Sequence, residues 1–456
     1  MNTDNMRRRA AFVTLGCKVN QSETQGIAEQ FETAGYIIAD PEESADVYVV
    51  NTCSVTAMSE SKGRQIISRL HRRNPEACIA VTGCYAQRAG QELLGLPGVE
   101  IAVGTNHKAE LVRLCTRYLD NKDGNRPADK KDSSRIADYK AGSRLVATET
   151  EDHCDFEELP ISRHEGHTRA YMKIEDGCDS FCSYCIIPYL RGPVRSRSLE
   201  AISAEAHRLA QNGFCEIVLG GIHLTSYGRD TGCGLEDAVK AVAAVPGIKR
   251  IRLGSLEPMG VTKSFLDAAA ETDKLCPQFH LSLQSGCDSV LERMNRRYTA
   301  EQYAGVCRTL REYYPGCAIS TDIIVGFPGE TDAEFEQTCR FVEETGFASV
   351  HVFSFSPRQG TAAADMPGQV AHAVKKEREH ILLQQCLRQR QEYLSGFIGR
   401  EETVLVERSD GQVSRGLTPQ HAEALIKGGF EPGEIVRVRA ESVSEGCLQC
   451  EPAGKK

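Results

Sequence analysis

Ala170-Tyr171-Met172-Lys173-Ile174-Glu175-Asp176-Gly177-Cys178-Asp179-Ser180-Phe181-Cys182-Ser183-Tyr184-Cys185 runs from a short apolar strand, Ala170–Ile174, through Glu175-Asp176-Gly177 into three closely spaced cysteines. Thiolates are soft ligands suited to the iron of Fe–S clusters, and a cubane cluster usually takes four of them. Three close cysteines leave one iron open. An open iron can chelate the amino and carboxylate groups of a bound cofactor, which a closed electron-transfer centre cannot do. Structural zinc is the competing reading, but zinc sites of that kind are closed and four-coordinate. No fourth cysteine or histidine stands nearby to close this one.

Downstream of the cysteines, strand-like and helix-like stretches alternate. With Ala170–Ile174, the candidate strands are Glu216–Leu219, Arg250–Leu253, His280–Leu283, Ala318–Val325 and Ser349–Phe353. Between them lie helical patterns over Leu199–Gln211, Leu235–Ala244, Thr262–Ala270, Ala300–Tyr313 and Asp332–Thr345. Six such units predict a partial (β/α)6 barrel over 166–396, with active residues at the strand C-termini and in the loops that follow. Val370–Phe397 reads as a long charged helix leading out of it. From residue 397 to 456, short alternating runs (Thr403–Glu407, Ala422–Ile426, Glu434–Ala440) separated by glycines predict a small β-barrel.

Upstream, residues 1–120 read as a parallel α/β domain. Candidate strands Ala11–Leu15, Val47–Val50 and Cys78–Val81 alternate with helices Ser22–Ala34 and Ser59–His71. Each strand delivers a cysteine just past its C-terminal end: Cys17, Cys53 and Cys84. Loops there gather on one edge of a parallel sheet, so the three can meet despite their separation in sequence. Three small buried apolar cysteines would look the same. Residues 121–165 are polar and charged and read as a linker, within which Phe156–Pro160 is a candidate docking segment.

The chain has 456 residues, enough for two or three domains, and 41% of them are hydrophobic. No run of about 18 apolar residues suggests a membrane span, and Met1–Arg9 lacks the apolar core of a signal peptide. A cytoplasmic location follows as the expectation. In that reducing compartment, 19 irregularly spaced cysteines fit cluster ligation better than a disulfide framework. The net charge of −9 argues against a global electrostatic grip on nucleic acid and leaves local patches open.

The residues also carry a resemblance. C-x-x-x-C-x-x-C after a first strand, with Tyr184 before the last cysteine, resembles the radical SAM signature. Gly220-Gly221 at the second strand end resembles that superfamily's glycine-rich stretch. Ser282-Leu283-Gln284-Ser285-Gly286 is similar to its ribose-contact region, and Gly326-Phe327-Pro328-Gly329-Glu330-Thr331 to its adenine loop. Thr14-Leu15-Gly16-Cys17-Lys18-Val19-Asn20, Asn51-Thr52-Cys53-Ser54-Val55-Thr56 and Thr82-Gly83-Cys84 look like the N-terminal domain of the methylthiotransferases. The last 60 residues look like their RNA-binding TRAM domain.

Membership of that family implies two 4Fe–4S clusters, one on Cys178, Cys182 and Cys185 and one on Cys17, Cys53 and Cys84. It implies S-adenosyl-L-methionine held near Tyr184, Gly220, Gly221, Ser282 and Gln284, with two molecules used per turnover. One would give a 5′-deoxyadenosyl radical, and the other would methylate sulfur at the second cluster. An electron donor such as flavodoxin or ferredoxin and a sulfur donor are implied partners.

Three branches of the family act on isopentenyladenosine in tRNA, on threonylcarbamoyladenosine in tRNA, and on a ribosomal-protein aspartate. Gly16–Asn20, Ile186–Pro193, Arg293–Tyr298 and Met366–Val370 resemble the second branch, whose product is tRNA methylthiolated at C2 of adenosine 37. The other two branches stay as alternatives. Cys287 stands where that branch suggests serine, and Leu219-Gly220-Gly221-Ile222-His223 varies the glycine stretch. A non-catalytic two-cluster electron carrier is the competing class.

Other residues have open readings. Arg191, Arg195 and Arg197 suit RNA phosphates, a substrate carboxylate or a solvated loop. Arg69, His71, Arg72 and Arg73 suit a helix C-terminus. Arg437 and Arg439 share a strand face. Tyr171, Tyr298 and Phe355 suit core packing better than base stacking, and Cys447-x-x-Cys450 lacks the second pair a zinc site needs.

Overall fold

The computed structural model describes residues 7–54, 57–124, 145–147, 155–164 and 166–454. The chain forms two compact units. One holds Met1–Ser162 with Asp176–Ser180 and Cys185–Arg195, and the other holds Arg163–Glu175, Phe181–Tyr184 and Ser196–Lys456.

The first unit is built on a parallel sheet of β1 (Arg9–Thr14), β2 (Ile37–Ala39), β3 (Val47–Thr52), β4 (Cys78–Gly83), β5 (Val99–Val103) and β6 (Leu145–Ala147), in the order β2-β1-β3-β4-β5-β6. All residues of β3 and β4 are buried, as strands covered on both faces must be. The alternation of the strand sorts the side chains into two cores. Tyr48 and Val50 pack with Ile67 and Leu70 of α2 (Ala57–Arg73) and Leu93 of α3 (Cys84–Leu94). Val47 and Val49 pack with Ile27 and Phe31 of α1 (Lys18–Thr33) and Leu114 of α4 (Leu111–Lys122).

The sheet is wider than the three strands the apolar runs predict. β2 and β6 are three residues each, too short to show a period, and β6 falls inside the stretch read as linker. The rest of that stretch, 125–144 and 148–154, lies outside the described residues. Leu159, in the candidate docking segment, packs against the core of this first unit.

The second unit begins with β7 (Ala170–Lys173). Two-residue strands β8 (Glu175–Asp176) and β9 (Arg195–Ser196) flank the cysteine loop in sequence, and α5 (Ile187–Arg191), before β9, belongs to the first unit. Then come α6 (Leu199–Gln211), β10 (Glu216–Gly220), α7 (Leu235–Ala243), β11 (Arg250–Leu253), β12 (Ser255–Leu256), α8 (Lys263–Ala269) and β13 (Gln278–Leu281). They are followed by α9 (Asp288–Arg293), α10 (Ala300–Tyr313), β14 (Ala318–Val325), α11 (Asp332–Thr345), β15 (Ser349–Ser354), α12 (Ala362–Asp365) and α13 (His372–Ser395).

The six strands read from the sequence are all present, and all their pairings are parallel. Together with the two-residue β12 they run as two arcs, β11-β10-β7 and β12-β13-β14-β15. The one residue between β11 and β12 is Gly254, where the arcs part. This is the curved, partial α/β barrel the repeats predict. Thr299 and Thr331 cap α10 and α11 in reciprocal capping boxes with Gln302 and Glu334, which fixes where each helix starts.

The end of the chain closes on itself as a five-stranded barrel: β16 (Glu401–Ser409), β17 (Val413–Leu417), β18 (Glu423–Lys427), β20 (Cys447–Pro452) and β19 (Ile435–Ser444). Val404, Val406, Ala424, Ile426, Val438 and Leu448 fill it. Arg250 of β11 donates to the Thr403 carbonyl at 2.9 Å, and Arg252 to the Pro419 carbonyl at 2.9 Å. Both guanidiniums also meet the buried Glu216.

Candidate iron–sulfur sites

Three adjacent strands of the first sheet end on the cysteines singled out by their strand-end positions. Gly16 leads β1 into Cys17, Cys53 follows β3 directly, and Cys84 opens α3 straight after β4. Because β1, β3 and β4 are parallel neighbours, their C-terminal ends lie side by side. A Cβ on Gly16 would sit 3.1 Å from Cys53 Sγ, and the Cys84 thiol is within electrostatic reach of both Cys17 and Cys53. The structure therefore brings the three together on one sheet edge.

Asparagines staple these loops. Asn20 Nδ2 donates to the carbonyls of Leu15 at 2.8 Å and Thr52 at 3.2 Å, and Asn51 Nδ2 donates to the Asn20 carbonyl at 3.1 Å. Gly83 has φ 91°, and a Cβ there would lie 2.4 Å from the Thr52 carbonyl oxygen. Only glycine lets β4 enter α3 at this point.

Arg191 supplies the charge. It is fully buried. Its Nη1 donates to Asp176 Oδ1 at 2.9 Å and Glu23 Oε1 at 3.2 Å, and its Nη2 to Asn20 Oδ1 at 3.1 Å. Lys108, also fully buried, reaches Glu23 Oε1 at 3.0 Å, and Arg195 lies 3.5 Å from Asp176. Three cations thus face two carboxylates beside three thiols. Burial works against the charge on Arg191, but Asp176 and Glu23 outweigh it and hold the group protonated. Burial pushes the Cys84 thiol up, and Arg191 pulls it back. Surplus positive charge beside converging thiols suits thiolate ligands and an anionic metal cluster, so the donor set fits a 4Fe–4S group.

In the second cysteine set, several loop residues are held by named contacts. Gly177 has φ 90°, and a Cβ there would collide with the Pro193 carbonyl at 1.9 Å. Cys178 N donates to the Gly192 carbonyl at 3.0 Å. Phe181 sits at φ 47°, and its carbonyl accepts from Asn295 Nδ2 at 2.9 Å. Cys182 Sγ accepts from Arg296 Nη1 at 3.3 Å. Arg296 also binds Glu257 at 2.7 Å and the Ser282 carbonyl at 2.8 Å. Ser183 N donates to the Met294 carbonyl at 3.0 Å, and Tyr184 packs edge-on to Phe327. Cys178, Cys182 and Cys185 all keep partial exposure, as ligands of a cluster that must meet a cofactor require.

The residues matched to cofactor contacts lie at strand ends. Gly220 ends β10. A Cβ on Gly221 would lie 2.5 Å from Glu175 Oε2, which accepts from His223 N at 2.7 Å. Ser282 N donates to the Leu256 carbonyl, and Gln284, at φ 73°, bridges to β14 through Asp322 and Ile324.

The reading of Arg191, Arg195 and Arg197 as RNA contacts or a solvated loop is corrected. All three are buried, and Arg197 pairs with Glu205 at 2.8 Å. Arg69 and Arg73 pair with Glu42. Tyr171, Tyr298 and Phe355 are buried. Arg437 and Arg439 do share a face, where both bind Glu401. Glu23, Lys108 and Arg296 escaped the sequence reading, since nothing local marks a charge that will be buried.

Comparison with known proteins agrees with this architecture. Residues 9–104 match the family described as "Uncharacterized protein family UPF0004", and residues 172–342 match the "Radical SAM superfamily". The threonylcarbamoyladenosine tRNA methylthiotransferase MtaB of Bacillus subtilis is 37% identical over 94% of this chain and 93% of its own length. The protein of the same name from Thermotoga maritima is 37% identical over 96% and 95%. A tRNA-2-methylthio-N(6)-dimethylallyladenosine synthase of Pelotomaculum thermopropionicum is 35% identical over 90% and 88%. Among solved structures, the radical S-adenosylmethionine methyltransferase TsrM from Kitasatospora setae superposes with a TM-score of 0.55 at 16% identity, over 78% of this chain and 75% of that one, which speaks for the fold alone. With identity at this level over nearly its whole length, the chain belongs to the radical SAM methylthiotransferase family.

Proposed function

We infer that this chain is a tRNA methylthiotransferase that inserts a methylthio group at C2 of N6-threonylcarbamoyladenosine 37. The convergence of Cys17, Cys53 and Cys84 carries the reading. A radical SAM barrel needs only the Cys178, Cys182 and Cys185 cluster, and a second thiol set beside a surplus of buried cations gives sulfur a place to be held. When bound, the two clusters supply electron transfer to S-adenosyl-L-methionine and a sulfur site, with two molecules of that cofactor consumed per product.

The chain's own residues bind and orient. Cys178, Cys182 and Cys185 hold the first cluster, and Arg296 fixes the Cys182 side of it. Tyr184, Gly220, Gly221, Ser282 and Gln284 hold the cofactor at the strand ends, where backbone groups can approach it. Arg191 and Lys108 balance the second cluster's charge. A base in an anticodon loop is presented splayed, so little unpairing energy is needed. The C-terminal barrel is the candidate RNA-binding module.

A flavodoxin- or ferredoxin-like electron donor, a sulfur donor and a cytoplasmic location complete the proposal. Among the described residues, no helix is long and apolar enough to cross a membrane. Incubation of the cluster-loaded protein with dithionite and S-adenosyl-L-methionine tests the enzyme reading. It predicts 5′-deoxyadenosine, and none would leave the electron-carrier class standing.

A further inference from the structure

The open face of the second arc carries a graded row of side chains. Along β14, Thr321, Ile323 and Val325 are buried under the helices, while Ser320, Asp322 and Ile324 turn to the other face. On β15 the same alternation exposes His351 and Phe353 and buries Val350 and Val352. The register pairs Ser320 with Ser349, Asp322 with His351 and Ile324 with Phe353, and places His280 of β13 beside Ser320. The face therefore runs from polar to apolar as it approaches Gly326 at the strand ends.

His280, Asp322 and His351 form one cluster on this face, their ligand atoms all within 4.8 Å of one another. His280 Nε2 lies 3.1 Å from Asp322 Oδ2, and its Nδ1 lies 3.0 Å from Ser320 Oγ. Two residues further along β15, and on the same face, Phe353 is 53% exposed.

We propose that His280, Asp322 and His351 form the subsite that takes the polar, carboxylate-bearing substituent on the target adenine, with Phe353 as the stacking surface for the base itself. This rests on the substrate reading above and names the residues that read it. Two residues of strand span about 6.6 Å, which matches the offset between an adenine ring and a substituent on its N6. The threonylcarbamoyl group offers ureido N–H donors, a hydroxyl and a carboxylate. Asp322 accepts from such donors, and the imidazoles donate to the carboxylate or carbonyl. An apolar prenyl group would strip water from these side chains and return no hydrogen bond. Phe353 lies on the cofactor side of the cluster, so the ring carrying C2 sits nearer the strand ends than its substituent does.

The test uses the full chain with its clusters reconstituted, and two forms of one tRNA, with and without threonylcarbamoyl on adenosine 37. Wild-type protein is expected to bind the modified form more tightly. His351→Leu and the isosteric Asp322→Asn should each cut that preference about tenfold, the worth of one hydrogen bond. Phe353→Leu should weaken both forms alike, by tenfold or more, since stacking reads any base. His351 and Phe353 are exposed, so their replacement leaves the fold intact. A preference unchanged in both polar variants overturns the subsite while the substrate reading stands. No preference in wild type overturns both. Stoichiometric zinc uptake by wild type that is lost in His351→Leu would show a metal site instead, and would also overturn the subsite.

Discussion

Arg191 and Asp176 meet at 2.9 Å with both side chains buried. Asp176 stands two residues before Cys178, and the same guanidinium reaches Asn20, three residues after Cys17. One buried cation thus ties together the loops of both cysteine sets. Replacing it with an apolar side chain leaves Glu23 and Asp176 short of charge in the interior. Arg191→Met should cost about 3–5 kcal/mol of stability, read as a lower urea midpoint of the cluster-loaded protein under anaerobic conditions. Adding Asp176→Asn to that variant should cost little more, because the Arg191 contact the carboxylate made is already gone. Additive losses from the two changes would show that the pair does not act as a unit.

The proposed cluster on Cys17, Cys53 and Cys84 should be removable without touching the one on Cys178, Cys182 and Cys185. Changing Cys17, Cys53 and Cys84 together to alanine should leave about half the iron, since one of two cubanes remains, and should spare 5′-deoxyadenosine formation. Full iron content in that variant would refute a second cluster.

Gly83→Ala offers the same test through the backbone. Its Cβ would collide with the Thr52 carbonyl and part the Cys53 and Cys84 loops, so iron should again fall to about half. Gly213 is the control: its φ is 90°, but nothing lies within 4 Å of the added atom. Gly213→Ala carries the left-handed strain alone and should keep its iron.

His164 predicts a pH dependence. Burial, then His167, lowers its pKa from the usual 6.5 to about 4, and its Nδ1 accepts from Tyr171 N at 3.3 Å, which requires a neutral ring. The unfolded chain takes up this proton first as pH falls. Stability from this group is complete above pH 6.5 and is lost as pH drops toward 4. The slope is at most about 1.4 kcal/mol per pH unit. Unfolding measured between pH 7.5 and 5.5 should show the decline, and His164→Gln should flatten it. An unchanged slope would mean that His164 is protonated in the folded state.

The cysteines were legible because strand ends are legible. An apolar β-branched run such as Val47–Val50 followed by Asn-Thr-Cys places Cys53 whatever the rest of the sheet does. Arg191 was not, because its partners Glu23 and Asp176 come from other elements and an arginine after Pro188-Tyr189-Leu190 reads as surface. The start of α1 was placed four residues late. Lys18-Val19-Asn20-Gln21 has no apolar period, and its asparagine is buried because it holds a loop. The cluster of His280, Asp322 and His351 needed three strands in register, which period-2 patterning gives strand by strand but not across the sheet.

The most direct measurement is mass spectrometry of the nucleosides in tRNA from cells with and without this gene. Loss of the gene should abolish 2-methylthio-N6-threonylcarbamoyladenosine while N6-threonylcarbamoyladenosine accumulates. An unchanged level of the methylthiolated nucleoside, or the loss of a methylthiolated isopentenyladenosine in its place, would rule out threonylcarbamoyladenosine as the substrate.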